Sequence, residues 1–253
     1  MNGCVTLPAS EIRARARQSL SGRWGSAIRA AVIYYLLLTL PLTILERVTG
    51  AAPLDYQTAY ELFQSHNWSA TISTSSLIGD FYLLLVTGPL TLGFAQFILT
   101  MARNGAEEPR PWDVINGFGS FGRAFGTFLF ITIFTFLWTL LFIIPGVIAA
   151  YRYRMAYYIL LDNPEIGCLE AISRSKQLMA GNKWKLFCLD FSYILWLLLG
   201  SLFNGLLMIF VLPYYQNGVA QFYLEALDRR RSLERDALRG DFHIVGEGRN
   251  DEE

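Results

Sequence analysis

The sequence predicts an all-α integral membrane protein with about six transmembrane helices in pseudo-repeated pairs, joined by short amphipathic interfacial helices. Of its 253 residues, 53% are hydrophobic and only 17% are charged, whereas soluble domains carry about 25% charged residues. The apolar residues lie in long, nearly uncharged blocks, and most basic residues lie between the blocks. This composition excludes a disordered chain, and a formal net charge of zero argues against a nucleic-acid-binding protein.

Four apolar blocks define the predicted spans. A helix needs roughly 20 apolar residues to cross the hydrocarbon core of a bilayer. Blocks 26–45, 77–101, 124–150 and 186–212 reach that length with at most one charged residue each. Turns near Pro145 and Asn204 divide the last two blocks, and the predicted spans are then about 26–45, 77–101, 124–144, 146–161, 186–203 and 206–227.

The positions of the basic residues favour six spans over four. Loops rich in Lys and Arg stay on the cytoplasmic side of the membrane. With six spans, all of the 21 basic residues lie on one side except Arg29, Arg47, Arg152 and Arg154. With four spans, the basic segment 152–185 would lie outside. We therefore predict cytoplasmic termini, one external loop at 46–76 and a polar, disordered tail at 228–253.

One sequence unit occurs three times. A basic stretch with a glycine shortly before a tryptophan leads into an apolar block at 12–24 and again at 172–184, and a degenerate copy lies at 112–117. Each block is followed by a second, proline-containing block, with the prolines at Pro89, Pro145 and Pro213. We interpret this pattern as three copies of a basic helix, a span and a proline-containing span.

The basic stretches predict interfacial helices at 9–22 and 164–180. In the second, Asp162 or Asn163 can cap the start, Pro164 fits the first turn and Gly181 suits a left-handed end. The apolar face of such a helix can lie in the headgroup layer with its basic face towards anionic lipid. Alternatively, these helices cap the bundle and contact no lipid specifically. The predicted interfacial anchors are Trp24, Trp184, Lys183 and Lys185.

Polar residues within the predicted spans are candidates for a site, because they are costly in a membrane. They are Arg152, Arg154, Asp190, Gln96 and Gln221. Arg152 and Arg154 point about 200° apart on a helix, so both cannot face one cavity directly. Asp190 is a predicted partner for one of them, and the glutamines are expected to form hydrogen bonds between helices. The alternatives are an anionic-substrate or headgroup site and, which we favour, a structural ion pair or snorkelling arginines.

No catalytic, metal or cofactor motif is found. Cys4, Cys168 and Cys188 have unrelated spacings, and His66 and His243 stand alone in polar stretches. A usual zinc site needs three or four Cys, His or carboxylate ligands. We therefore expect no cofactor, no metal and no nucleic acid. The expected partners are membrane lipids, together with a membrane protein or a second copy of the chain.

Several segments resemble the bacterial membrane proteins grouped as "domain of unknown function 975". They include Leu-Asp-Asn-Pro-Glu at 161–165 and the longer stretch 170–187, and the resemblance covers roughly 9–227; the other matching segments are 15–25, 144–151, 213–214 and 220–223. That family is distantly similar to the membrane domain of some glycerophosphodiester phosphodiesterases. The resemblance implies a multi-pass protein of the bacterial plasma (inner) membrane and supplies no activity.

Three functions are compatible with the sequence. The one we favour is a non-enzymatic membrane protein with a scaffold, lipid-interacting or assembly role. The alternative is a transporter or channel-like module for a lipid or small anion, which predicts a polar cavity lined by Arg152, Arg154, Asp190, Gln96 and Gln221. An intramembrane enzyme ranks lowest, because the sequence offers no cluster of acidic, His or Ser residues at one depth.

Overall fold

A computed structural model describes residues 4–49, 74–103, 109–202 and 207–247, and these form helices and turns without any strand. Most of the predicted external loop 46–76 and the predicted turn at Asn204 lie outside the described residues. The helices are α1 (Ala9–Leu20), α2 (Trp24–Thr49), α3 (Thr74–Ala102), a 3-10 helix (Pro111–Ser120), α4 (Phe121–Leu141), α5 (Ile143–Tyr153), α6 (Ala156–Asp162), α7 (Cys168–Leu178), α8 (Lys183–Leu202) and α9 (Met208–Glu247).

Three helical segments among the described residues are long and apolar enough to cross a membrane: Trp24–Leu45, Leu77–Ala102 and Pro111–Leu141. In the first and third, only 11% of the residues in the apolar window are buried within the molecule. A helix that exposes apolar side chains over such a length requires an apolar solvent, because monomeric soluble proteins rarely expose large continuous apolar patches. The all-helical fold class is therefore confirmed, and the chain has the character of a membrane protein.

Consecutive long helices pack antiparallel. The Tyr82 hydroxyl of α3 donates a hydrogen bond to the Leu37 carbonyl of α2. Tyr153 of α5 packs near Phe134 of α4, and Tyr193 of α8 packs edge-on against Tyr214 of α9. α2 therefore packs against α3, α4 against α5, and α8 against α9.

The short helices join these hairpins into a closed ring. The 3-10 helix packs against α3, α7 packs against α6, and α1 packs against α9. Each short helix thus contacts the proline-containing helix of the preceding hairpin, and α1 completes the circle with the last one. In the middle, α3 contacts both α6 and α9, and the side chains that meet there include Phe97, Tyr158, Phe222 and Tyr223, all buried. The buried side chains in the middle of the bundle therefore come from α3, α6 and α9.

Two glycines adopt the same backbone conformation after the first and last short helices. Gly22 follows α1 with a φ of 76°, and Gly181 follows α7 with a φ of 81°. Positive φ is costly for residues with a Cβ atom, so glycine favours this turn. The left-handed end predicted at Gly181 is confirmed, and both turns are followed within three residues by a tryptophan at the start of a long helix.

The predicted fourth span, 146–161, is not one continuous helix. It is broken between α5 and α6 by a turn at Arg154 and Met155. The buried Ser175 hydroxyl of α7 donates to the Arg152 carbonyl at 2.8 Å and accepts from the Met155 backbone N–H at 3.2 Å. A side chain inserted into the backbone hydrogen-bond ladder is a recognised cause of a helix break.

The predicted helix 164–180 begins four residues later than expected, at Cys168 after Gly167. Asn163 does not cap this helix, because its side-chain amide donates to the Ile159 carbonyl at 2.9 Å and so closes the end of α6. Asp162 is also engaged elsewhere, as an acceptor from Tyr223. The capping residues predicted for α7 therefore belong to the preceding helix.

The predicted disordered tail differs as well, since α9 continues through its polar part to Glu247. Residues 228–238 are mostly exposed. No proline interrupts them, and Arg230 forms an ion pair with Glu234, four residues later, at 3.1 Å. Pairs at this spacing stabilise an exposed helix by a few tenths of a kcal/mol. Local helix-forming preferences therefore account for the extension.

Candidate functional site

Arg154 lies at the helix break and lines a cavity of about 530 Å³, which we call the Arg154 cavity. Residues from α2, α3, α4, α5, α6 and α9 form its walls. Thr132, Phe136 and Ala150 on its lining are exposed, so the cavity reaches the molecular surface. Non-helical backbone at membrane depth is tolerated where it is buried in protein or lines a cavity. The break and the cavity thus place one cation beside an accessible space.

The guanidinium of Arg154 has a counter-charge on its far side. Its Nη2 donates to the Tyr215 hydroxyl, which in turn donates to Asp190 Oδ1 at 3.0 Å. The Tyr151 hydroxyl donates to Asp190 Oδ2 at 2.9 Å. Of the two arginines for which Asp190 was a candidate partner, Arg154 is the one linked to it, through a tyrosine rather than by direct contact. A paired charge is far less costly in an apolar environment than an isolated one.

Part of the Arg154 guanidinium remains available to a ligand. A guanidinium carries five N–H donors, and only Nη2 forms a hydrogen bond within the described part of the chain. Asp190 is not part of the cavity lining, whereas Arg154 is. A ligand in the cavity would therefore meet the cation and not the carboxylate. Guanidinium groups recognise phosphate and carboxylate oxygens through two parallel N–H bonds.

Threonines on α4 add a polar stripe to the cavity. Thr132, Thr135 and Thr139 lie three and four residues apart, on one helix face, and all three line the cavity. The Thr135 hydroxyl is buried and has no hydrogen-bond partner within the described residues. The sequence analysis missed this stripe because it considered ionisable residues and glutamines but not the hydroxyls of α4. The i, i+3, i+7 spacing of hydroxyls in an uncharged block is the signal that identifies it.

The remaining predicted site residues lie elsewhere. The described chain provides no hydrogen bond or ion pair to the Arg152 guanidinium, and Arg152 is not part of the cavity lining. Gln221 donates to the Ala102 carbonyl at 2.9 Å, as expected for a glutamine between helices. Gln96 is exposed and lines a separate cavity of about 300 Å³ with Arg103 and Arg123. The five candidates therefore do not form one cavity, and Arg154 with Asp190 is the pair that comes together.

The predicted interfacial anchors lie at the starts of long helices. Trp184 is 71% exposed and stacks on Phe187, whereas Trp24 is half-buried against Tyr214. Lys185 donates to the Val5 carbonyl and so fastens the N-terminal segment to α8. Lys183 is half-buried. Trp184 has the exposure that an anchor requires, whereas Lys185 serves at least partly to hold the chain together.

A second polar space, of about 810 Å³, lies at the end of the bundle where α3 and α6 terminate, and we call it the Arg103 cleft. Four arginines line it: Arg103 after α3, Arg174 of α7, and Arg230 and Arg231 of α9. Three of them form ion pairs, with Asp162, Glu170 and Glu234 respectively. The cleft lining is therefore rich in arginine, and nearby carboxylates neutralise part of its positive charge.

Neither space resembles a metal centre. No group of three His, Cys, Asp or Glu residues that could hold a metal ion occurs among residues 4–49, 74–103, 109–202 and 207–247. Cys168 and Cys188, which lie in this part of the chain, are both free thiols.

Comparison with protein families now gives a direct match. Residues 6–151 and 140–230 match the family described as "Protein of unknown function (DUF975)". The chain belongs to this family. No curated protein matches the chain, and no solved structure matches it. The distant similarity to phosphodiesterase membrane domains stays a prediction.

The DUF975 match contains the whole polar network. Its second segment, 140–230, includes Tyr151, Arg154, Asp190 and Tyr215. The exposed end of α9 beyond residue 230 lies outside the match. The helix break and the cavity are thus features of the family-matched part of the chain, whereas the helical extension is an addition to it.

Proposed function

We propose that this DUF975 member crosses the bacterial plasma membrane six times, with both termini in the cytoplasm. The three long apolar helices supply three crossings. Helix α8 has 20 residues and is about 30 Å long, which matches the hydrocarbon core. The broken pair α5–α6 and the first half of α9 supply the others. The sidedness of the basic residues supports this orientation.

Reporter fusions test the topology. A reporter that is active only in the cytoplasm should be active after Glu165 and after Asp228, because both follow an even number of spans from a cytoplasmic N-terminus. Fusion within 50–73 should give activity only with a periplasmic reporter. Periplasmic activity after Glu165 would rule out six crossings.

We further propose that the protein is a non-enzymatic, lipid-interacting membrane protein that holds an anionic lipid in the Arg154 cavity. One observation carries this proposal: a guanidinium with available N–H donors lies on a cavity whose lining combines apolar and aromatic side chains with a stripe of threonines. Such a lining suits an amphiphile, because acyl groups can contact Phe136 and Leu212 while the oxyanion meets Arg154.

Ligand-dependent thermal stabilisation tests the binding. Phosphatidylglycerol should raise the melting temperature of the purified protein by about 5 °C at saturation, whereas phosphatidylcholine should not. Arg154→Gln should abolish this shift, since glutamine cannot supply the charged, forked donors. Arg152→Gln is the matched control, because its position is two residues away and outside the cavity lining. A shift of equal size in both variants would exclude Arg154 as the recognition group.

A scaffold or assembly role is the second candidate. The observation that favours it is the largely exposed stretch 231–238 of α9, which lies beyond the family match and carries Arg231 and Arg235. Such a helix is suited to contact a second copy of the chain or another membrane protein. Removal of residues 232–253 should then change the oligomeric mass of the purified protein while the lipid-dependent shift persists.

A further inference from the structure

A stacked pair of tyrosine rings connects the lining of the Arg154 cavity with that of the Arg103 cleft. Tyr158 of α6 lines the cavity, and Tyr223 of α9 lines the cleft. Their rings stack with centroids 5.3 Å apart and an interplanar angle of 21°. Both side chains are buried. Each space is therefore lined by one ring of the same stacked pair.

Polar contacts at the cleft hold this pair in place. The Tyr223 hydroxyl donates to Asp162 Oδ2 at 2.8 Å, and Arg103 forms an ion pair with Asp162 Oδ1 at 2.5 Å. The Arg103 side chain is 46% exposed, so solvent and salt weaken this pair. Tyr158 and Tyr223 belong to α6 and α9, and the Asp162 contact is a direct polar link between these two helices. A small movement of α6 relative to α9 would break the link and part the rings.

Both spaces present the same chemistry to a ligand. Arg154 lines the cavity, and the cleft offers Arg103, Arg174, Arg230 and Arg231. Arg231 forms no ion pair with any described residue, while the other three cleft arginines could exchange a carboxylate partner for a phosphate. Because guanidinium groups line both spaces, they would attract an oxyanion both in the cavity and in the cleft.

We propose that the Arg154 cavity and the Arg103 cleft are two halves of one path for a phosphate-bearing ligand, and that Tyr158 and Tyr223 form its gate. This inference rests on the proposed binding of an anionic ligand at Arg154. The shared chemistry is a phosphate oxyanion, which either a lipid headgroup or free phosphate can supply. In the closed state described here, Asp162 holds Tyr223 against Tyr158 and blocks the path.

Flux through proteoliposomes tests the gate. Tyr223→Phe keeps the ring but removes the hydrogen bond to Asp162, and Asp162→Asn weakens both the Tyr223 and the Arg103 contacts. Each should raise the flux about fivefold over wild type, the change in open population expected from the loss of one hydrogen bond. Tyr82→Phe is the matched control, because it loses one interhelical hydrogen bond and lines neither space. Its flux should equal that of wild type.

Two probes identify the source of the phosphate. One measures uptake of radiolabelled inorganic phosphate, and the other measures transbilayer movement of a fluorescent phosphatidylglycerol. If either probe moves faster with Tyr223→Phe and Asp162→Asn but not with Tyr82→Phe, the gate is supported. The probe that moves faster then identifies the class of ligand. If phosphatidylglycerol or phosphate stabilises the wild type and yet neither flux changes, the gate is wrong while the binding proposal stands. If neither ligand stabilises the wild type, the binding proposal itself fails.

Discussion

Gly117→Ala is expected to prevent stable packing of the 3-10 helix against α3. A Cβ atom at Gly117 would lie 1.9 Å from the Pro89 carbonyl oxygen, and one at Gly93 would lie 1.9 Å from the Val114 carbonyl oxygen. Both obstacles are backbone atoms, so no side-chain rotation can relieve the overlap. We expect a loss of about 3 kcal/mol or more, at or above the upper range for overpacking.

The chain provides a matched control for this substitution. Gly119 lies in the same 3-10 helix, and a Cβ atom there would have no other atom within 4 Å. Gly119→Ala should therefore leave the melting temperature and the monodisperse yield in size-exclusion chromatography unchanged, whereas Gly117→Ala and Gly93→Ala should lower both. Equal behaviour of the alanine variants at 117 and 119 would contradict the close backbone approach.

Asp190→Ala is expected to have the next largest effect. It removes the acceptor of both the Tyr151 and the Tyr215 hydroxyls and leaves Arg154 without its counter-charge. Two hydrogen bonds to a charged acceptor are lost, and since each contributes roughly 1.5–3 kcal/mol we expect a loss of about 3 kcal/mol or more. Asp80→Ala is the control, since Asp80 is an exposed carboxylate near the start of α3 and its removal should cost less than about 0.5 kcal/mol.

A double-mutant cycle measures the coupling free energy between Arg154 and Asp190 separately from their other contacts. Arg154→Gln with Asp190→Asn removes both charges, so the double variant should be more stable than the sum of the single losses predicts, by about 1 kcal/mol or more. Strictly additive losses would show that Tyr215 does not couple the two charges.

The sequence was sufficient to predict what depends on local composition. The uncharged blocks at 26–45 and 77–101 correspond closely to α2 and to most of α3, because a long apolar block has few alternatives to a membrane helix. Gly181 ends its short helix as predicted, since a left-handed turn has a strong residue preference. Asp190 could be named as a partner for either Arg152 or Arg154 because ionisable residues are scarce within the spans, but the sequence did not decide between the two arginines.

Long-range contacts explain what could not be predicted. The break at Arg154 and Met155 depends on Ser175, which lies on another helix and shows no sign in the local sequence of 146–161. Tyr215 joins Arg154 to Asp190, and the local sequence around Arg154 or Asp190 shows no sign of this contact either. At 163–167, the competition of Asn163 for the end of α6 shifts the start of α7. Such choices between two equally suitable local partners are decided by tertiary packing.

The central claim is that Arg154 recognises an anionic lipid within the cavity. Native mass spectrometry of the protein released from mild detergent measures this most directly, since it weighs the complex with whatever remains bound. We expect one bound anionic lipid on the wild type and on Arg152→Gln, and none on Arg154→Gln. A wild-type protein without bound lipid, or an Arg154→Gln variant that retains the same lipid at the same occupancy, would contradict the claim.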